Sequence, residues 1–316
     1  MKKQYIEVPR PVSCGTVRKL WHALVGLLLL PYYLITAWIL KTPGVTLHIK
    51  CARLAIMLLI MCRISLRKCY SLISLPMDST RYFEFHEVLV RLVHVPFKKV
   101  LDVSSPHILP LMLLMQNRVA IAEMINPDMQ DLQETERLAD ALGLTGRCSF
   151  TNTTIEMTKY TAETFDLITC ISVLEHIPTD RVAVETMWSL LRPGGRLILT
   201  LPCMAQPLEQ YISHNQYGVL KPKDDGYTFW QRYYDNKRLE SIIYSITGTP
   251  VYIAVYGEKE RGLFFRNASM KRLLGFLYPF WREPYMMAVE YHSFSSADEL
   301  PGEGVVMLEF IKPGTR

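Results

Sequence analysis

Acidic side chains are almost missing from the first quarter of this chain. Residues 1–75 hold one, Glu7, against eleven Lys or Arg. That is a balance of +10 in a 316-residue chain whose total is +5, so the remaining residues carry −5. A basic, apolar leading segment on an acidic body suits an anionic membrane surface. It suits nucleic acid less, because no aromatics interleave with the basic residues and no nucleic-acid motif is present. Cysteine patterning is missing too. The seven cysteines form no CxxC pair and no His/Cys ligand spacing. No metal is therefore expected, and an odd count without a framework fits free thiols in a reducing compartment. A GxGxxG stretch is absent, which speaks against a dinucleotide enzyme. With 49% hydrophobic and 21% charged residues, disorder is not expected.

What is present begins with 23–40, eighteen residues without a charge. As a helix it reaches roughly 27 Å, close to the ~30 Å of a hydrocarbon layer. Pro31 should kink it, and Tyr32, Tyr33 and Trp38 suit an interface. A second apolar run, 54–62, is too short to span and suits an interfacial helix. The competing reading is that both runs are helices packed on the body. We read 1–75 as a basic apolar helical segment at the inner, cytoplasmic face of a membrane, and 76–316 as the catalytic domain.

From about Met77 short apolar runs alternate with amphipathic stretches, the pattern of a parallel sheet covered by helices. Strands are expected at 99–103, 119–124, 147–152, 165–170, 196–201, 251–256 and 304–311. Pro193-Gly194-Gly195 marks a turn. An insert at about 258–302 separates the last two strands. In such a sheet ligands bind beyond the carboxyl ends of the strands, which gathers Asp102 to Pro106, Glu123, Thr153 to Ile155 and Cys170 to Ser172 around one crevice.

Phe165-Asp166-Leu-Ile-Thr-Cys-Ile-Ser-Val-Leu174-Glu175-His176-Ile177-Pro178, followed by Leu191-Arg-Pro193-Gly194-Gly195-Arg-Leu-Ile-Leu-Thr-Leu201-Pro202, resembles the second half of a class I, Rossmann-like S-adenosylmethionine-dependent methyltransferase of the type 11 kind. The resemblance spans 98–202. It implies an α/β fold with a doubly wound seven-stranded sheet, mostly parallel with an antiparallel last strand, here with N-terminal apolar helices added. It implies S-adenosylmethionine as cofactor and a small-molecule or lipid-linked acceptor, with oxygen the expected acceptor atom.

The resemblance also assigns residues. Asp102 holds the place of the acid that organises the loop at the methionine end of the cofactor. Glycines normally follow; here Ser104-Ser105-Pro106 stands instead, a serine cap and a proline at the first helical position, so the turn is kept and the cradle rebuilt. Glu123 is the candidate for the ribose hydroxyls, since a carboxylate accepts two hydrogen bonds from a diol. Thr154 stands nearest the acid that meets adenine, and Cys170 and Ile171 match positions lining the cofactor. Tyr82 is either a lid residue or a core aromatic. His176 is either a general base or a residue that shapes its loop, and with no identifiable partner the second is favoured. The acceptor pocket is expected within 206–234, where Tyr211, His214, Asn215, Tyr217 and 229–234 lie. The rival reading is a methyltransferase-like binding protein whose altered loop no longer holds the cofactor.

Overall fold

The strand at the centre of the molecule consists of seven consecutive buried residues, Phe165–Ile171. An apolar run of that kind is what a parallel strand covered on both faces requires. The computed structural model describes residues 2–7, 15–92, 96–106, 108–213, 220, 222 and 225–314. In chain order the main elements are β1 (Lys2–Ile6), α1 (Thr16–Ile39), α2 (Val45–Ile60), α3 (Leu66–Ser74), α4 (Arg81–Arg91), β2 (Phe97–Val103), α5 (Ile108–Met115), β3 (Val119–Ile125), α6 (Met129–Ala141), β4 (Cys148–Thr151), β5 (Phe165–Ile171), α7 (Asp180–Leu190), β6 (Leu191–Cys203), β7 (Leu208–Ile212), β8 (Thr228–Tyr233), β9 (Tyr252–Glu258), β10 (Tyr291–Phe294) and β11 (Gly304–Ile311). A helical stretch at 236–247 precedes β9.

The large sheet runs in the order β10-β9-β11-β6-β5-β2-β3-β4. Strands β4, β3, β2, β5 and β6 are mutually parallel, and β11 lies antiparallel between β6 and β9. The seven expected strands are all present. The insert adds an eighth, β10, antiparallel to β9 at the edge. Register sets Asp102 beside Thr169, Val103 beside Ile125 and Ile171 beside Thr200. The carboxyl ends of β2, β3, β5 and β6 therefore meet along one rim, where ligands bind in doubly wound sheets.

Two apolar layers cover this sheet. One joins α2, α4 and α5 to it through residues such as Ala55, Phe85 and Leu109. The other joins α7 and the 236–247 stretch through Met187, Leu239 and Ile243. A smaller sheet pairs β1 parallel to β7, with β8 antiparallel beyond it.

The two N-terminal apolar runs behave differently. The second is the tail of a longer helix, α2, which buries Leu47, Cys51, Ala55 and Leu58. In contrast, α1 buries only Gly26, Tyr33 and Ala37 and contains Pro31. These three, spaced seven and four apart, share one face. That face rests on the helix Arg282–Glu290 and its approach, with the Tyr33 and Tyr285 rings 4.8 Å apart. The opposite face exposes Leu24, Leu27, Leu28, Ile35 and Trp38. Among the described residues α1 is the single helix long and apolar enough to cross a membrane, by length and composition.

Gly26 is required by this docking. A Cβ there would lie 2.3 Å from Pro279 Cβ, a distance that forces something to move. Gly26→Ala should therefore destabilise the docked helix by about 1–3 kcal/mol, the usual range for overpacking. Limited proteolysis of α1 at increasing urea would read this.

Candidate functional site

At the rim of the sheet lies a cavity of about 420 Å3. Its first wall is the loop after β2. Ser104 adopts φ +53°, a left-handed conformation that favours glycine. The Ser104 amide and hydroxyl both donate to the Ile125 carbonyl, at 2.9 and 3.0 Å. The side chain is thus tied to β3 while the backbone keeps a glycine-like course along the cavity. Ser105 and Asp102 brace this turn from behind. The Ser105 amide donates to Asp102 Oδ1 at 3.0 Å, and Thr169 Oγ1 donates to Asp102 Oδ2 at 2.6 Å. The Ile171 amide donates to Ser105 Oγ at 3.1 Å. Burial raises the Asp102 pKa to about 6, against the pull of these hydrogen bonds.

Removing the Ser105 hydroxyl takes away the oxygen that meets the Ile171 amide in a dry environment. Ser105→Ala should cost about 1–3 kcal/mol of unfolding free energy, measured by urea titration of the full chain.

The second wall is the end of β3. Asn126 Nδ2 donates to Asp131 Oδ2 at 2.7 Å, and Asp128 caps α6 by accepting from the Gln130 and Asp131 amides. Asn126, Asp128 and Asp131 all line the cavity, as do Thr154, Ile155 and Glu156 after β4. Ser172, at the end of β5, has φ +47°. Its amide donates to both Thr200 oxygens, and its hydroxyl donates to Glu84 Oε1 at 2.6 Å.

His176 stands between Ser172 and β8. Its Nδ1 lies 2.7 Å from the Trp230 carbonyl. A carbonyl only accepts, so Nδ1 carries the hydrogen and Nε2 has the lone pair. Burial, with Arg81 and Arg232 nearby, lowers the His176 pKa to about 4. The imidazole is neutral at physiological pH. Arg232 holds this loop in place, donating to the Ile177 and Pro178 carbonyls at 2.8 and 3.0 Å and pairing with Asp180 at 2.8 Å. Trp230 lines the cavity, and its indole Nε1 is buried with no hydrogen-bond partner among the described residues.

Of the residues singled out by sequence, Ser104, Pro106, Thr154, Ile155, Ser172, His176, Phe229 and Trp230 reach the cavity wall. Asp102, Ser105, Cys170 and Ile171 lie one layer behind, buried. Glu123 does not line the cavity. It sits two residues before the end of β3 and pairs with Lys99 at 2.6 Å; the polar groups at that strand end are Asn126, Asp128 and Asp131. Tyr82 is not at the mouth either. It is fully buried, its hydroxyl 2.8 Å from His48 Nδ1 on α2, while its neighbour Arg81 lines the cavity. His214, Asn215 and Tyr217 lie outside the described residues. Tyr211 belongs to the small sheet, stacked 5.3 Å from Tyr5. Asn126, Asp128 and Asp131 are not among the residues singled out by sequence, although Asn-Pro-Asp after a strand was an available signal.

Residues 109–199 match a family model described as a methyltransferase domain. Over that stretch the chain is similar to a methyltransferase domain. The match begins beyond the Ser104–Pro106 loop. No curated protein matches the chain. Among solved structures, the chain is similar to the [4+2]-cyclase SpnF, at 14% identity over 73% of this chain and 80% of that one, TM-score 0.47. It is similar to a 1,6-didemethyltoxoflavin-N1-methyltransferase of Burkholderia thailandensis, at 14% identity over 72% and 76%, TM-score 0.43. A geranyl diphosphate C-methyltransferase of Streptomyces coelicolor A3(2) shows 10% identity over 72% and 74%, TM-score 0.46. At these values what those proteins act on says nothing about the acceptor of this one.

Proposed function

We propose that this chain transfers a methyl group from S-adenosylmethionine to oxygen of a small or lipid-linked acceptor at a cytoplasmic membrane surface. The observation that carries the reading is Ser104: it keeps the positive φ of a glycine and turns its hydroxyl onto Ile125. The cavity floor is therefore left open to close approach although no glycine is present.

The residues fit the cofactor. Asp131 and Asp128, whose carboxylates line the cavity, would accept from the ribose hydroxyls, and Thr154 and Ile155 would flank the base. Bound S-adenosylmethionine supplies a methyl group on a sulfonium, which needs alignment and exclusion of water more than a strong base. Val173, Ile177 and Trp230 contribute the apolar wall that excludes water. A neutral His176, with Nε2 unprotonated, can accept a hydrogen bond from an acceptor hydroxyl; a conjugate acid of about 4 makes it an orienting group and a weak base. The exposed apolar face of α1, flanked by Arg18, Lys19 and Lys41, supports the membrane part of the reading.

Calorimetric titration of S-adenosylmethionine into the full chain in detergent tests this. Micromolar binding is expected. A folded protein that takes up no cofactor would leave the binding-protein reading in its place.

A further inference from the structure

Past Ser172 and His176 lies a second chamber of about 180 Å3, which shares Arg81, Ser172 and His176 with the first. Carboxylates from separate parts of the chain line it: Asp78 before α4, Glu84 on α4, Glu175 after β5 and Glu303 before β11. Three of them are answered within the protein. Glu84 takes Arg81 and Ser172, at 2.7 and 2.6 Å. Asp78 pairs with Lys271. Glu303 accepts from the Tyr233 hydroxyl at 2.9 Å. Behind the wall Glu258 is fully buried and accepts from the Gly262, Phe264 and Glu303 amides.

Glu175 is different. It is 3% exposed, and its Oε2 is buried with no hydrogen-bond partner among the described residues. Its other oxygen, Oε1, is 3.8 Å from His176 Nε2. Buried acceptors are rarely left unmet without a reason. A chamber lined by four carboxyl groups, which shares three wall residues with the first cavity and has an unmet carboxylate oxygen buried in its wall, suits a ligand that brings hydrogen-bond donors and positive charge.

We propose that this chamber is the acceptor subsite and takes an amine, bound as its ammonium, with Glu175 Oε2 as its hydrogen-bond acceptor. The inference rests on the methyltransferase reading and names its substrate class. The ammonium is the handle by which the acceptor is held. A protonated nitrogen has no lone pair to accept a methyl group, so this is compatible with transfer to an oxygen of the same molecule.

Proton linkage agrees. Burial raises Glu175 to about 8, with Glu84 adding to the rise and Arg81 and Arg232 opposing it. Burial likewise raises Glu303 to about 7, with Glu258 adding. The titratable neighbours of Glu175 also include His176, Cys170 and Tyr233. Without a ligand these carboxyls hold protons near neutrality, and an arriving ammonium displaces them. An acid with a raised folded pKa stabilises the fold fully below its unfolded value, and that contribution is lost as pH rises through the folded one. Glu175→Gln should therefore lack the part of the wild-type loss of melting temperature that falls between about pH 4.5 and 8.

The test is calorimetry on the full chain in detergent with S-adenosylhomocysteine bound, near pH 7, in two buffers of different ionisation heat. The probes are ethanolamine, ethylene glycol as its uncharged counterpart, and phosphatidylethanolamine in mixed micelles. Wild type should bind an amine probe at least tenfold more tightly than ethylene glycol and release protons as it does so. Glu175→Gln should lose at least tenfold in amine affinity and most of the proton release, with S-adenosylhomocysteine affinity unchanged. Binding of ethanolamine identifies a free amine, whereas binding of the phospholipid alone identifies a lipid head group. Equal binding of the glycol, absence of amine binding, or an unaltered Glu175→Gln overturns the proposal. So does a Glu175→Gln that loses S-adenosylhomocysteine, since the chamber would then serve the cofactor's own amino group. A wild type that fails to bind S-adenosylhomocysteine removes the methyltransferase reading beneath it, a different failure from loss of amine binding. Should Glu175→Gln fail to fold, Glu303→Gln probes the same chamber and should also weaken the amine.

Discussion

Asp102→Ala should weaken S-adenosylmethionine binding at least a hundredfold in a chain that still folds. The carboxylate does not line the cavity; it acts by holding what does. One oxygen takes the Ser105 amide and the other the Thr169 hydroxyl, while Ser105 in turn receives the Ile171 amide. One buried side chain therefore joins the loop after β2 to the end of β5. Truncation leaves two buried donors unmet, at about 1–3 kcal/mol each, and the loop reaches its cavity-lining course only by meeting that cost. A factor of a hundred corresponds to ~2.7 kcal/mol, within that range. Asp102→Asn, which keeps one acceptor and the volume, should fall between Ala and wild type. It should also flatten the pH dependence of stability. The Asp102 pKa is raised from 3.8 to about 6, so its contribution is complete below 3.8 and lost as pH rises through about 6. Calorimetry measures the affinity and circular dichroism the fold. A folded Asp102→Ala that binds like wild type would show that this loop is not the cradle.

The strand order between 98 and 202 was legible because parallel strands covered on both faces read as apolar runs, with Phe165–Ile171 the clearest. Four strands outside that range, β1, β7, β8 and β10, were not. The pairing of β1 with β7 joins residues some two hundred positions apart, with no local pattern to announce it. The strand β10 is four residues, Tyr-His-Ser-Phe, of which His292 and Ser293 are exposed, and a short polar edge strand has no alternation to detect. The site was legible in its loops and less so in its strand ends. β3 continues through Met124 and Ile125, and those two residues separate Glu123 from the cavity rim. Where a strand leaves the sheet is settled by its neighbours, and strand boundaries are the weakest part of any sequence reading. In α4 the 100° step between successive helical residues puts Tyr82 in the core and Arg81 at the cavity mouth. The second chamber had no signature at all, since its carboxylates come from both ends of the catalytic body and only the fold assembles them.

Leu28→Glu with Ile35→Glu should release the protein from anionic vesicles. These residues are 74% and 57% exposed and lie seven apart, on the face of α1 opposite Gly26, Tyr33 and Ala37. Lipid covers a spanning helix on all sides, but α1 already has one face on the Arg282–Glu290 helix and Pro279. Lying flat, with its outer face in the lipid boundary, keeps that contact and covers the leucines. Arg18, Lys19 and Lys41 at its ends then meet anionic head groups, at about 1 kcal/mol each. Each large aliphatic side chain moved from water into lipid contributes about 1.5–3 kcal/mol. Losing two, before counting the cost of the new charges, removes at least ~3 kcal/mol, or roughly a hundredfold in partitioning. Co-sedimentation with vesicles should show that loss, while the wild type should bind less as salt screens its basic residues. Alkaline carbonate separates the two placements: a helix lying flat is extracted, and a spanning one stays with the lipid. Vesicle binding that survives both substitutions would mean that this face is not the one that meets the membrane.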